Sequence, residues 1–272
     1  MLWTSKHLKW LKKTSQVFKT ADGKKIEVWE FRHKNSDAVL SAWAKHFRNH
    51  YCLDSEIDFY RKGYNYSRAE YLTKIKFPDP SHGLGPSIRS GDFGEILVAD
   101  YLQYLLGYWV PRTRYADKTI RNESAKGCDI IGFEIVGDGK TSMKDTLAIF
   151  EAKAQFSGRT AKPRLQDAID GSVKDHVRKG ESLNAIKQRL FQEKGAIEAK
   201  KIERFQNPED RPYKEVFGAV ALFSTRVFDP QKISQANTSN HPQGSRLALL
   251  VIRGDDMMDL VHELYRRAAH EA

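Results

Sequence analysis

The chain has 272 residues, with 45 Lys and Arg against 35 Asp and Glu, a formal net charge of +10. Hydrophobic residues make up 40% and aromatics 11%, which suits a packed core and excludes global disorder. The basic surplus favours a polyanionic partner, nucleic acid or an acidic membrane surface, and no apolar run approaches the ~20 residues that span a bilayer.

Residues 1–13 are interrupted by Lys6, Lys9, Lys12 and Lys13 and hold no leader-peptide core, so a cytoplasmic protein is expected. Cys52 and Cys128 are the only cysteines, too few for a disulfide framework or a zinc knuckle. A hairpin or strand is expected at Lys25–Phe31 and helices near Asp37–Asn49 and Tyr66–Ile75. Three prolines and two glycines between Phe77 and Pro86 mark a boundary. They divide an aromatic and basic N-terminal module, residues 1–85, from a second domain, 86–272. A helix then runs from Ser90 to Leu106, followed by strands at Tyr108–Tyr115, Cys128–Val136 and Thr146–Phe156. Charged helix fills Pro163 to Glu203. Val216–Thr225 and Leu247–Ile252 read as buried strands, and a helix covers Asp255–Ala269. This order predicts an α/β protein with a mixed central sheet flanked by helices, preceded by an α+β module.

Chemistry concentrates in two stretches, Gly127-Cys128-Asp129-Ile130-Ile131 and Ile149-Phe150-Glu151-Ala152-Lys153. Strand alternation puts Ile149, Glu151, Lys153 and Gln155 on one face and Ala148, Phe150, Ala152 and Ala154 on the other. A carboxylate and an ammonium thus fall in a segment that otherwise reads as interior, where charge is costly unless paired or bound to metal. A hairpin turn centred on Lys140 sets position 129 opposite position 151, with Cβ atoms about 4.5–5.5 Å apart. Two carboxylates that close repel unless a divalent cation lies between them, and hard oxygen ligands suit Mg²⁺ or Mn²⁺. Glu95 continues the line Ala99, Leu102, Leu106 on the preceding helix and points inward, whereas Asp100 and Gln103 share a polar face.

An inward Glu on a first helix, then Asp129, then Glu151-Ala152-Lys153, resembles the PD-(D/E)XK nuclease superfamily, although Cys128 stands where that motif has Pro. The resemblance covers roughly residues 88–254. More narrowly, Gly91-Asp92-Phe93-Gly94-Glu95, the aromatic-basic N-terminus and the Gly-Cys-Asp-Ile strand resemble HamA, the nuclease subunit of the Hachiman antiphage defence system. The resemblance implies a restriction-endonuclease-like core and metal-dependent cleavage of DNA, with a HamB-like helicase as partner. It implies that Asp129, Glu151 and the Ala152 carbonyl hold the metal, that Lys153 handles the attacking water, and that Glu95 joins through water or a second metal. It also matches Gln166 to a glutamine carried by some relatives.

The other readings are plainer. Glu151 and Lys153 alone would form a structural ion pair, which leaves a non-catalytic nucleic-acid-binding subunit as the alternative function; the same site would also serve RNA. Arg112 and Arg114 alternate onto one face, for phosphate contact or ordinary surface charge. Gly137-Asp138-Gly139-Lys140-Thr141 is a turn, because Glu134 stands where a phosphate loop needs Gly. His33, His46, His50 and His82 read as packing or solvated histidines. The charged helix Lys187–Lys201 reads as a solvated face, with backbone contact to nucleic acid as the sharper option.

Overall fold

In the computed structural model, residues 2–137 and 141–272 are described. The strands are β1 (Leu11–Lys19), β2 (Lys25–Phe31), β3 (Ile130–Glu134), β4 (Thr146–Gln155), β5 (Lys214–Ser224) and β6 (Leu247–Gly254). Helices α1 (Asp37–Asn49), α2 (Ile57–Arg61), α3 (Arg68–Tyr71) and α4 (Gly85–Tyr104) precede β3. Helices α5 (Arg164–Lys194) and α6 (Ala196–Glu203) follow β4, α7 (Pro230–Ser234) follows β5, and α8 (Met257–His270) closes the chain. The strands form one mixed sheet in the order β1-β2-β6-β5-β4-β3. The four inner strands are parallel, and β1 and β3 run antiparallel at the edges.

The inner strands β4 and β5 are nearly continuous apolar runs, as strands covered on both faces must be. On one face Ala148, Phe150, Leu222 and Ile252 pack with residues of α1, α4 and α8. On the other, Ile149, Ala219, Phe223 and Val251 lie with residues of α5 and α6. The mixed sheet flanked by helices is the architecture expected.

The structure departs from the expected elements in several places. Tyr108–Tyr115 is not a strand: only Trp109 bridges to Phe133, and Pro111 two residues on has no N–H for a ladder. Strand β1 went unread because it is an exposed edge whose lysines hide any alternation. The boundary at 85/86 divides neither sheet nor core. Strand β2 pairs with β6, and Trp10, Phe31, Trp43 and Phe47 share a core with Phe93, Leu97 and Leu264. The Pro- and Gly-rich stretch is the entry to α4, with Pro86 in its first turn, where the missing N–H costs nothing.

Candidate active site

The β3–β4 register fixes the first half of the site. Ile130 pairs with Phe150 and Ile131 with Ile149, the register that the sequence predicts, which brings Asp129 opposite Glu151. Residues 138–140 of the connecting turn, Lys140 included, lie outside the described residues. Pairing stops at Ile130, so the Ala152 N–H donates to Asp129 Oδ2 at 3.2 Å instead of to a strand carbonyl. A strand residue directs its N–H and C=O to the same edge, so the Ala152 carbonyl faces Asp129 too. Lys153 Nζ donates to Glu151 Oε1 and lies 3.7 Å from Asp129 Oδ2, so one ammonium spans both carboxylates.

Glu151 is buried beneath α5. Gly171 on that helix makes the space, since a Cβ there would collide with the Glu151 carboxylate. Two turns further along α5, Arg178 Nη2 stands 3.4 Å from Glu151 Oε2, and Arg178 Nε donates to Asp175 Oδ1 at 2.8 Å. Asp175 and Arg178 are absent from the sequence reading. The signal was present: Ala168, Ser172 and Asp175 follow one another at helical spacing on the buried face of α5, and an acid on that line needs a partner.

Helix α4 brings Glu95 to the same place from the opposite face of the sheet. Its Oε2 accepts from Arg114 Nε at 2.8 Å and from the Tyr115 hydroxyl at 2.5 Å. Arg114 Nη2 in turn donates to Asp129 Oδ1 at 2.8 Å. Arg114 therefore faces inward. Arg112 also turns inward: Nη2 donates to Asp100 Oδ1 at 2.6 Å, Nε to Gln103 at 3.0 Å, and Nη1 to His50 Nε2 at 2.8 Å. Neither arginine is thus an exposed group, whether for phosphate contact or as ordinary surface charge, because both guanidiniums answer buried carboxylates. Gln166 stands apart from the carboxylates, bonded to Asp170 and to the backbone of Asn237.

Four acids (Glu95, Asp129, Glu151, Asp175) meet three bases (Arg114, Lys153, Arg178), so the cluster carries one uncompensated negative charge. Burial, with the Asp129 carboxylate adding to it, pushes Glu151 up to about 9 against the pull of Lys153. Burial likewise pushes Glu95 up to about 7 despite Arg114, and raises Asp175. For Lys153, Asp129 and Glu151 outweigh burial and keep the ammonium charged. The surplus appears as a retained proton, and a bound cation would relieve it equally well.

A sequence model of the HamA family matches residues 5–268. The chain belongs to the HamA family. That membership points to a subunit of the Hachiman antiphage defence system. No curated protein matches the chain. Among the described residues, no helix is long and apolar enough to cross a membrane.

In this HamA chain a second polar cluster lies beside the first. His46 on α1 and His50 at its C-terminal cap, with Asp100 on α4, place ligand atoms within 4.8 Å of one another, the one such trio among the described residues. The i, i+4 histidines thus have a ligand spacing that the sequence reading passed over. The protein's own donors already engage this trio. The Thr4 N–H donates to His46 Nδ1 at 3.1 Å, so the ring proton sits on Nε2, 3.1 Å from Asp100 Oδ2. Arg112 already supplies the cation. His46, Arg112 and His7 outweigh burial and hold the Asp100 carboxyl well below the usual range, while burial pushes His7 and His50 down. The polar face expected for α4 is thus covered, and Asp100 is fully buried. Between this cluster and the carboxylates opens a cavity of about 260 Å³, lined by Glu95, Arg114, Asp129, Ser182 and Arg189 among others.

Proposed function

We propose that this HamA-family chain is a metal-dependent nuclease of the PD-(D/E)XK type. It cleaves DNA phosphodiester bonds as the effector of an antiphage complex with a HamB-like helicase. The observation that carries the reading is the meeting of Asp129, just before β3, and Glu151 on β4 at one lysine, inside a cluster with one negative charge too many. The residues fit a hard divalent cation, Mg²⁺ or Mn²⁺, because the donors are carboxylate and carbonyl oxygens. Asp129, Glu151 and the Ala152 carbonyl would hold it directly. Glu95 does not share a tight trio with them and would join through water. When bound, the metal lowers the pKa of the attacking water and stabilises charge on the phosphate.

The protein's own groups do the rest. Lys153 Nζ, between the two carboxylates, orients the water and offsets charge developing on the phosphate. Arg178 keeps Glu151 turned toward that point from behind. Dispersed positive charge and the lack of a base-reading motif support backbone binding with little sequence preference. The test is incubation of purified protein with plasmid DNA and with RNA, in Mg²⁺ and in EDTA, beside Glu151→Gln. Mg²⁺-dependent DNA cleavage by the wild type alone is expected. Binding without cleavage under every metal condition would instead make the chain a non-catalytic subunit, and cleavage confined to RNA would change the substrate.

A further inference from the structure

Arg114 is tied to the site by an unusually complete set of bonds. A guanidinium has five N–H donors, and each finds an acceptor here. Nε donates to Glu95 Oε2 at 2.8 Å. Nη1 donates to the carbonyls of Cys128 at 2.5 Å and Lys126 at 3.3 Å. Nη2 donates to the Ala125 carbonyl at 3.2 Å and Asp129 Oδ1 at 2.8 Å. No donor remains for a phosphate. Instead the planar fork joins a carboxylate on α4 to one at the start of β3, and holds the 125–128 loop that delivers the second. Two residues earlier, Arg112 pins the same segment to Asp100, Gln103 and His50, so the fork is fixed from behind.

We propose that Arg114 is a positioning residue that sets the separation and orientation of Glu95 and Asp129, and through them the affinity for the divalent cation. This rests on the nuclease reading above. A lysine supplies the charge but not the flat five-donor fork, so geometry and charge can be separated. Neighbours that orient metal ligands typically govern affinity by about 10–100-fold.

The experiment uses the full chain without DNA and Mn²⁺ as probe, titrated by electron paramagnetic resonance for wild type, Arg114→Lys and Arg114→Gln. Circular dichroism and thermal unfolding check the fold. Both variants are expected to fold and to bind Mn²⁺ at least about tenfold more weakly. The Mg²⁺ concentration for half-maximal cleavage should rise in parallel, with the rate at saturating metal recovering to within a few-fold. Unchanged Mn²⁺ affinity in Arg114→Lys overturns the proposal while leaving the nuclease reading standing. Failure of both variants to fold also overturns it, by assigning Arg114 to stability alone. A wild type that binds no Mn²⁺ removes the nuclease reading itself and this proposal with it.

Discussion

Glu151 shows how one residue connects stability to chemistry. Its carboxyl is pushed up to about 9 by burial and by Asp129, whereas in the unfolded chain it titrates near the ordinary value of 4.5. The folded state therefore holds a proton that the unfolded state has released, and stability must fall as pH rises toward the folded value. Glu95, at about 7, adds to the same slope only below neutrality, and the lowered histidines His7 and His50 are silent above their ordinary 6.5. In EDTA the urea-unfolding free energy should thus drop between about pH 7 and about pH 9, and Glu151→Gln should flatten that drop. A wild-type curve that is level or rising over this window would contradict a protonated Glu151. Asp129→Asn and Lys153→Met should each cut cleavage by about 10²–10³-fold, the size of losing one positioned electrostatic group, with the fold retained. Near-normal cleavage by either variant would remove that residue from the mechanism.

At the scale of elements, α5 is shaped around the site. Replacing a helical glycine by alanine ordinarily gains about 1 kcal/mol. Gly180 has open space around it, so Gly180→Ala should raise the unfolding midpoint. Gly171→Ala drives a methyl into the Glu151 carboxylate and should instead cost about 1–3 kcal/mol of stability by overpacking, lower the midpoint and depress cleavage. Equal gains for the two variants would mean that α5 does not press on Glu151. Much of this layer was legible in the sequence. The apolar runs of β4 to β6 and the alternation around Glu151 located the strands, and the hairpin register followed from simple symmetry about the turn. What escaped was set by partners distant in sequence. Asp100 looks like a solvated residue on a polar helix face until His7, His46 and Arg112 arrive to cover it. Arg112 and Arg114 alternate like a strand, but the segment carries one bridge and turns both side chains inward. Nothing local reveals that, because the ion pairs that direct them span 12 to 19 positions of chain.

At the scale of the whole molecule, one sheet and one core run across the boundary that composition suggested. A chain starting at Ser87 would lose β1, β2 and α1, and with them Phe31, Trp43 and Phe47 from the shared core. Circular dichroism of that truncation should show an unfolded or molten chain; a cooperative melt near the wild-type temperature would restore the two-domain division. The net charge of +10 acts at the same scale. DNA affinity should fall by about 10³-fold between ~50 and ~200 mM salt, as release of counterions from six or more phosphates requires, and a flat salt profile would rule out a charge-driven interface. The N-terminal third is joined to the carboxylate cluster through one short segment. Residues 112–115 are a short tether with Arg112 fastened among the histidines of the N-terminal third and Arg114 and Tyr115 fastened to the carboxylates. A displacement of α1 would pull on that tether and so on Glu95 and Asp129. Swapping N-terminal thirds between related chains should therefore preserve catalysis only when the histidines and this four-residue link travel together.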